Sequence, residues 1–193
     1  QMFKGIITDV GGPTANMYGM ECRKKLVKGA CADRRCLGES ICGDLPVSHY
    51  RQRRLLSRLR QLPEVRRAFI GSGIRHELIL ADRQHGRRYL EEILTHHVSG
   101  QLKIAPEHCQ DRVLALMGKP GIEATRQFVT LFNRTARSLN IERYLTCYFI
   151  AAYPGCTMED MQELKGFTRQ VLRFTPEQVQ VFTPTPGTVA TVM

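Results

Sequence analysis

Short runs of apolar, often β-branched residues alternate along this chain with longer stretches in which apolar residues recur at helical spacing. The runs suit buried strands and the helical spacing suits amphipathic helices, so the alternation predicts βαβ units with parallel strands. The predicted element order is β-α-β-α-β-α-α-β-α-β. Strands are predicted at residues 4–9, 67–71, 101–105, 144–152 and 178–182, and helices at 47–61, 86–97, 111–117, 123–139 and 158–172.

Parallel strands joined by right-handed helical crossovers either close into a barrel or lie open as a doubly wound sheet, and the pattern alone does not separate these arrangements. The length of 193 residues suits one domain but is short for a complete eight-stranded (β/α) barrel. We therefore expect a single α/β domain over residues 1–193. The chain opens directly on a predicted strand, so we expect it to be cut from a longer protein.

The charge and apolar content of the chain limit its surroundings. Lysine and arginine outnumber aspartate and glutamate by 28 to 18, and the formal charge of +10 favours anionic partners such as RNA or phosphates. No apolar run approaches the ~20 residues that spanning a bilayer requires, so we expect no membrane span. Seven cysteines without a secretion signal favour reduced thiols and a cytoplasmic location.

Residues 16–45, between the first predicted strand and the first predicted helix, are rich in cysteine, glycine and charge. Four cysteines fall there at Cys-x8-Cys-x4-Cys-x5-Cys spacing, at Cys22, Cys31, Cys36 and Cys42. Four thiols in one irregular loop predict a metal site, because thiolates surround a soft metal or hold the irons of a cluster. The spacing is not that of a zinc ribbon, so zinc and iron–sulfur both stay open. The remaining cysteines are interpreted as small buried or loop residues, at Cys109, Cys147 and Cys156.

Two loops follow predicted strands at the end where parallel α/β folds bind their ligands. After the first strand, Gly11-Gly12-Pro13 is either a simple turn or a turn whose backbone approaches a ligand. At the third strand, Lys103 and Glu107 either form a salt bridge that caps the strand or bind a ligand, because an unpaired charge there is costly.

Seven arginines between residues 51 and 67 are interspersed with leucines at helical spacing, at Leu55, Leu56, Leu59 and Leu62. We expect the leucines to face the core and the arginines to face water, with binding of a phosphate backbone as the alternative. Few aromatic residues lie nearby in the sequence to stack on bases. The sequence has no Ser-His-Asp order, HExxH motif or GxxxxGK[ST] loop, so hydrolase and NTPase functions lack support.

Six stretches in collinear order over nearly the whole chain together resemble the YgiQ family of radical S-adenosylmethionine (SAM) proteins. They are 5–18 (GIITDVGGPTANMY), the four-cysteine segment after it, 96–108 (HHVSGQLKIAPEH), 117–121 (MGKPG), 148–155 (YFIAAYPG) and 178–182 (QVQVF). Each stretch alone is a weak signal, but the set is specific. The resemblance implies a partial (β/α)6 TIM-like barrel of parallel strands, truncated at its N-terminal strand and carrying a Cys-rich insert at residues 16–45.

The resemblance also implies an enzyme. Radical SAM enzymes use a [4Fe–4S] cluster to cleave SAM to a 5′-deoxyadenosyl radical that abstracts hydrogen from a substrate. An electron donor such as flavodoxin or ferredoxin reduces the cluster. By position, the residues implied to contact SAM are Gly11, Gly12, Pro13, Ser72, Arg75, Lys103 and Glu107. Pro13 stands where the family has the acidic residue of a Gly-Gly-Glu-like motif, so backbone carbonyls would make that contact.

One feature of the family is missing from this sequence. The catalytic cluster needs a Cys-x3-Cys-x2-Cys loop, whereas the four cysteines of residues 16–45 have another spacing and follow a later strand. We expect the cluster ligands upstream in a longer parent, the chain alone to be inactive, and the four cysteines to bind an auxiliary cluster or zinc. The substrate is unassigned. The alternative function is a non-catalytic, metal-stabilised RNA-binding module.

Overall fold

The computed structural model describes residues 3–12, 14–176 and 179–193, and its strands form two small parallel sheets. In the first sheet, β1 (Ile6–Ile7) pairs with β2 (Arg67–Ala68). In the second, β4 (Tyr144–Ala151) lies between β3 (Gln101–Glu107) and β5 (Gln180–Val181). The predicted α/β class with parallel strands is confirmed.

The two sheets are linked where the chain continues beyond β2. Ile74 forms an isolated parallel bridge with Ile104 of β3, and the Ile74 amide donates to the carbonyl oxygen of Lys103 at 2.9 Å. The five strands therefore follow one another in space in their sequence order, as expected when each crossover advances by one strand. Over the described residues the sheets do not close on themselves, so the (β/α)6 barrel is not shown.

Helices fill the connections between the strands. They are α1 (Arg23–Lys28), α2 (Tyr50–Gln61), α3 (His76–Ala81), α4 (Gly86–His96), α5 (Asp111–Met117), α6 (Ile122–Ser138), α7 (Met158–Phe167) and α8 (Val189–Val192). Three of them, α1, α3 and α8, were not predicted. In the part of the chain that the structure describes, no helix is long and apolar enough to cross a membrane.

The predicted helix at 158–172 changes type partway along. After α7 the chain continues as a π-helical segment, Thr168–Leu172. The hydroxyl of Thr168 donates to the carbonyl oxygen of Lys165 at 3.0 Å, so this side chain competes with the backbone for a helical acceptor. The start of α7 agrees with the prediction, since Thr157 and Asp160 form a capping box around the first turn.

The paired parts of the strands differ in length from the predicted strands. β1 and β2 pair over two residues each, and the predicted strand at 178–182 pairs only at Gln180–Val181, with residue 178 outside the described residues. β3 is longer than predicted because it continues through Pro106, which lacks an N–H. The register shifts between Ile104 and Glu107, and such an irregularity accommodates proline within a strand.

The main core lies between the strands and one layer of helices. Leu102 and Ile104 of β3 are fully buried against Leu90 of α4 and Phe128 of α6. From α2 only one of the predicted core leucines, Leu56, is fully buried. Leu62 was also predicted to face the core, but it follows the end of α2 and is 47% exposed.

The opposite face of β3 and β4 is exposed to solvent. Its side chains alternate with the buried ones and are called here the open face: Gln101, Lys103, Tyr144, Thr146 and Tyr148. On this face the Thr146 hydroxyl donates to Gln101 Oε1 at 3.1 Å, and Tyr144 is 62% exposed. A doubly wound sheet carries helices on both faces, and this one-sided cover differs from that arrangement.

Candidate functional site

The ends of β1 and β2 are joined by the carboxylate of Asp9. Its Oδ1 accepts hydrogen bonds from the backbone N–H groups of Gly71 at 2.9 Å and Ser72 at 3.2 Å, and its Oδ2 accepts from the Ser72 hydroxyl. A side chain at Gly71 would collide with the Thr8 carbonyl oxygen at 2.9 Å, so the glycine allows the two segments to approach closely. The predicted cofactor residue Ser72 thus lies at this junction.

The positive charge of Lys103, on the neighbouring strand β3, lowers the pKa of the same carboxylate. Burial raises the pKa of Asp9, but the hydrogen bonds from Ser72 and Gly71 and the positive charge of Lys103 outweigh it, and the net shift is downward. The carboxylate is therefore ionised at neutral pH. Asp9, Ser72 and Lys103 together form a polar group contributed by three successive strands.

The glycine turn after β1 contains two positions with different surroundings. A Cβ added to Gly11 would lie 2.6 Å from the Cβ of Ala15, so the tight turn requires glycine there. A Cβ added to Gly12 would meet no described atom within 4 Å, so the backbone of Gly12 is open to solvent. Pro13, the third predicted cofactor residue of this turn, lies outside the described residues.

Arg75 is held by neighbours rather than left free. Its backbone N–H donates to Asn16 Oδ1 at 2.7 Å, and its carbonyl oxygen accepts from Asn16 Nδ2 at 2.9 Å. Its guanidinium Nε forms an ion pair with Glu77 Oε1 at 2.6 Å. Glu77 therefore engages one N–H of the Arg75 guanidinium, while Asn16 fixes the backbone of Arg75.

Glu107 forms the salt bridge expected as one alternative from the sequence, but with a different partner. Its Oε1 lies 2.6 Å from the Nζ of Lys119, which also donates to the Ala105 carbonyl oxygen at 3.3 Å. The shift of register at Pro106 gives Glu107 a φ of 69°, so its side chain leaves the alternation of β3. Lys119 was missed as a site residue, although it lies within the MGKPG stretch used for the resemblance.

A buried polar network was also missed. His49 is completely buried, and its Nδ1 lies 2.8 Å from Asp82 Oδ2, which also accepts from the His49 backbone N–H at 2.7 Å. The Nε2 of His49 faces Asn16 Nδ2 at 3.2 Å, and because an amide nitrogen only donates, this Nε2 is the acceptor. The network joins the loop after β1 to α2 and α3, and it is structural support for the glycine turn.

The four cysteines of residues 16–45 surround one cavity. A space of about 190 Å³ is lined by the predicted set Cys22, Cys31, Cys36 and Cys42. Among the described residues, no three side chains of His, Cys, Asp or Glu lie close enough to hold a metal ion as they stand. The structure thus brings the predicted ligands to one place without a finished coordination geometry.

The other three thiols behave as interpreted from the sequence. Cys109 and Cys147 are buried, and burial raises the pKa of these thiols to about 11 and about 12. Cys156 is half-buried, with its Sγ 3.6 Å from Nε2 of the fully buried His108. The Nδ1 of His108 accepts from the Gln110 backbone N–H at 3.0 Å, so this histidine is engaged within the fold.

The exposed side of α2 carries a group of residues that we call the tyrosine–arginine patch. It is formed by Tyr18, Tyr50, Arg51, Arg54 and Arg58, which line one shallow pocket. Tyr18 is 52% exposed and Tyr50 is 48% exposed, and the guanidinium carbon of Arg54 lies 5.8 Å from the centre of the Tyr50 ring. The sequence shows few aromatic residues near these arginines. The fold adds Tyr18 to them from a distant part of the chain.

Comparison with known proteins places the chain among relatives of one kind. It is 52% identical over 191 residues to a UPF0313 protein of Fusobacterium nucleatum, 50% identical over 191 residues to one of Methanosarcina mazei, and 41% identical over 195 residues to one of Bacteroides thetaiotaomicron. No protein-family model matches the chain.

The alignments cover nearly all of this chain and a smaller part of each relative. They include 99%, 99% and 98% of the chain but 34%, 30% and 31% of the three relatives, respectively. The chain therefore spans about a third of the length of the curated relatives it matches. At this level of identity over the whole chain, the matched third of those proteins and this chain share one fold.

Proposed function

We propose, from the relationship to UPF0313 proteins and the resemblance to the YgiQ family, that this chain forms the SAM-binding part of a radical SAM enzyme. The observation that carries the proposal is the polar group at the strand ends beside the open face. Parallel α/β folds bind ligands at the carboxyl ends of their strands. Asp9 and Ser72 lie at that edge, where the charge of Lys103 within β3 acts on Asp9, and the space at the Cβ position of Gly12 is open.

The chemical groups of SAM match these residues. SAM presents a carboxylate, an amino group and ribose hydroxyls. Lys103 offers a cation for the carboxylate, and charge-assisted hydrogen bonds of this kind are the stronger ones. Gly12 lets a ligand approach the backbone, whose carbonyl groups accept from an amine. Asp9 and Ser72 hold β1 and β2 together so that these two contacts keep their relative positions.

The catalytic cluster has its ligands elsewhere in the proposed enzyme. A [4Fe–4S] cluster with bound SAM supplies radical chemistry, and its three cysteines would come from a segment outside this chain. The one-sided helix cover fits a larger partial barrel, in which the open face lines the interior. The seven free thiols fit a reducing compartment such as the cytoplasm, where flavodoxin or ferredoxin would supply electrons.

Within this arrangement the residues of the chain bind and orient SAM. In β3, Lys103 stands between the buried residues Leu102 and Ile104. The packing of these two neighbours fixes the strand from which the Lys103 cation projects. The ion pairs of Arg75 with Glu77 and of Glu107 with Lys119 hold the adjacent loops instead of the ligand. We therefore assign direct contact to Gly12 and Lys103, and positioning to Asp9 and Ser72.

Equilibrium dialysis of SAM against anaerobically purified protein tests this proposal. In Gly12→Ala the added methyl group meets no described atom, so folding is unchanged while the approach of a ligand is obstructed. In Lys103→Met the loss of a charged hydrogen bond of about 1.5–3 kcal/mol weakens binding roughly 10- to 100-fold. Lys165→Met, at an exposed position of α7, is the matched control. Unchanged SAM affinity in both site variants would contradict the assignment.

A second candidate function is RNA binding by the tyrosine–arginine patch. Arg51, Arg54 and Arg58 are exposed cations at a spacing that places them on one side of α2, and two half-exposed tyrosines beside them offer faces for stacking on bases. This surface lies on a helix and not at the strand ends. RNA binding is therefore compatible with SAM binding at the strand ends.

The RNA proposal is tested by filter binding of single-stranded RNA over a range of salt. Removing one cation that neutralises a phosphate reduces the slope of log affinity against log salt by about 0.7. The double variant Arg54→Gln/Arg58→Gln is expected to bind more weakly and with a smaller slope. Arg134→Gln/Arg137→Gln removes the same charge from exposed positions of α6. Equal effects of the two double variants would show that RNA binds by general charge attraction and not at the tyrosine–arginine patch.

A further inference from the structure

The cysteine segment is ordered without a core of its own. Between residues 21 and 44, Cys22 is the one residue that is buried in the structure. Helix α1 has no buried residue at all, and its two apolar side chains point into solvent, with Leu26 67% exposed and Val27 82% exposed. The nearest apolar cluster, Met20 with Leu45 and Leu78, holds the two ends of the segment and is contacted from within it only by the partly buried Leu37 and Ile41.

The contacts seen within the segment are too weak to order it. Fixing the backbone of one residue costs about 1–2 kcal/mol. The ion pairs of the segment are exposed, with Lys24 Nζ 2.7 Å from Asp44 Oδ2 and Arg34 3.6 Å from Asp33 and 3.8 Å from Asp44. Exposed ion pairs of this kind contribute little to stability, because water and salt screen them. Another source of free energy is needed to hold α1 and the loop after it in one conformation.

Local structure places the four thiols around one space from two directions. Cys22 is the residue before α1, and Cys31 follows the helix. Cys36 and Cys42 lie at the base of a short hairpin, where the Cys42 backbone N–H donates to the Cys36 carbonyl oxygen at 3.0 Å. The cavity of about 190 Å³ between them is the one space that all four line.

The charges around this cavity suit an anionic thiolate centre. Lys25 and Arg34 line it together with the cysteines, and the carboxylate of Asp44 is the one anionic side chain among the other lining residues. Four thiolates around a divalent ion leave a net charge of about −2. Two cations and one carboxylate in the lining offset part of this charge.

We propose that Cys22, Cys31, Cys36 and Cys42 bind one zinc ion in a tetrahedral structural site that fastens α1 to the hairpin. Binding of structural zinc supplies folding free energy in small zinc-binding domains that lack a sufficient core. Binding draws the four sulfur atoms inward across the cavity to about 2.3 Å from the metal. This site goes beyond the proposed SAM binding and does not depend on it.

Metal analysis of the protein after gel filtration is the first test. The wild type is expected to retain one zinc per chain, and Cys31→Ser and Cys36→Ser are expected to lose it. Cys156→Ser removes a half-buried thiol that does not line the cavity, so it is expected to keep its zinc. Iron with acid-labile sulfide that disappears in the same variants would overturn the zinc assignment, and retention of zinc in both segment variants would overturn the site.

A second measurement does not require purified variants. The segment carries six trypsin sites in exposed positions, at Arg23, Lys24, Lys25, Lys28, Arg34 and Arg35. If zinc orders the segment, trypsin cleaves there slowly until a chelator is added and rapidly afterwards, while cleavage within α6 stays slow. Cobalt exchanged into the site is expected to show the absorption of a tetrahedral thiolate complex. Cleavage that a chelator does not change, with no such absorption, would contradict the proposal, whatever SAM binding shows.

Discussion

The carboxylate of Asp9, two residues after β1, accepts hydrogen bonds from both the backbone N–H and the hydroxyl of Ser72, beyond β2. The two residues are 63 positions apart in sequence, so this link fixes how two strand ends lie relative to each other. If Asp9 and Ser72 stabilise the fold through one another, their substitutions are not additive.

The first prediction tests this link with a double-mutant cycle. Asp9→Asn and Ser72→Ala are each expected to lower the free energy of unfolding. Both substitutions remove the same charged hydrogen bond, so the double variant loses it only once, and the expected coupling energy is roughly 1 kcal/mol. Urea unfolding at neutral pH measures all four proteins. Losses that simply add would show that Asp9 and Ser72 act independently.

The second prediction compares two adjacent glycines. Gly11→Ala is expected to lower the free energy of unfolding by about 1–3 kcal/mol, since its Cβ would meet that of Ala15 at 2.6 Å. Gly12→Ala is expected to change it by less than about 0.5 kcal/mol, since its Cβ meets no described atom. Thermal and urea unfolding measure both. A larger loss at Gly12 than at Gly11 would contradict the described turn.

The third prediction concerns pH and His76. This side chain is 6% exposed and lies 3.0 Å from the Thr125 hydroxyl. The pKa of His76 is lowered from 6.5 to about 4, chiefly by burial, with the charge of Glu77 opposing the shift and those of Lys119 and Arg75 adding to it. Below about pH 6.5 the unfolded chain takes up a proton that the folded chain refuses, so the stability contribution is complete above that pH and is lost as the pH falls towards 4.

The expected size of this effect is roughly 3 kcal/mol at pH 4. Urea unfolding is compared for the wild type and His76→Gln between about pH 4.5 and 7.5, the range over which histidine protonation is followed. The variant cannot take up the proton and still reaches Thr125, so its stability is expected to fall less steeply with acid. Parallel pH profiles would show that His76 does not carry the effect.

The fourth prediction concerns the buried pair of His49 and Asp82. Asp82→Ala leaves the backbone N–H and the ring Nδ1 of His49 without an acceptor in the core, and the expected loss is about 3 kcal/mol. Asp33→Ala removes an exposed carboxylate whose side chain is 74% accessible, and a loss below about 0.5 kcal/mol is expected. Similar losses in both variants would contradict the network.

The protonation of His49 follows from the same geometry. Burial lowers the pKa of His49 despite the nearby charge of Asp82, and the bond from Asn16 requires Nε2 to be an acceptor. The neutral tautomer with hydrogen on Nδ1 is therefore expected throughout neutral pH. Nitrogen chemical shifts of the ring measure it directly, and a charged ring at pH 7 would contradict the assignment.

Elements with a long, regular pattern were predictable from the sequence. The alternation of Leu102 and Ile104 with polar residues identified β3, and the helical period identified α6 to within one residue at each end. Helix α3 was missed because its six residues are too few to show a period, and because His76 and Glu77 are buried by contacts from other parts of the chain.

The candidate site was predictable as far as it depends on strand ends. Gly12 and Lys103 were predicted because ligand-binding loops follow parallel strands. The structure places Lys103 within β3 and not after it, and binding at both residues stays a prediction. The partners of the charged residues were not, since the pairing of Glu107 with Lys119 and that of Arg75 with Glu77 depend on local geometry and compete with a ligand. The register shift between Ile104 and Glu107, which gives Glu107 its positive φ at the end of β3, has no signature in the sequence beyond Pro106 itself.

The contact between Asn16 and His49 has a consequence for the segment between them. The chain leaves the fold at Asn16 and returns at His49, and their side chains lie 3.2 Å apart, so the excursion begins and ends at one point. Closing a longer loop between fixed ends costs only about 0.6 kcal/mol for each doubling of its length. Insertions among the exposed residues 23–35 are thus thermodynamically cheap, because Met20 and Leu45 on either side stay packed against Leu78.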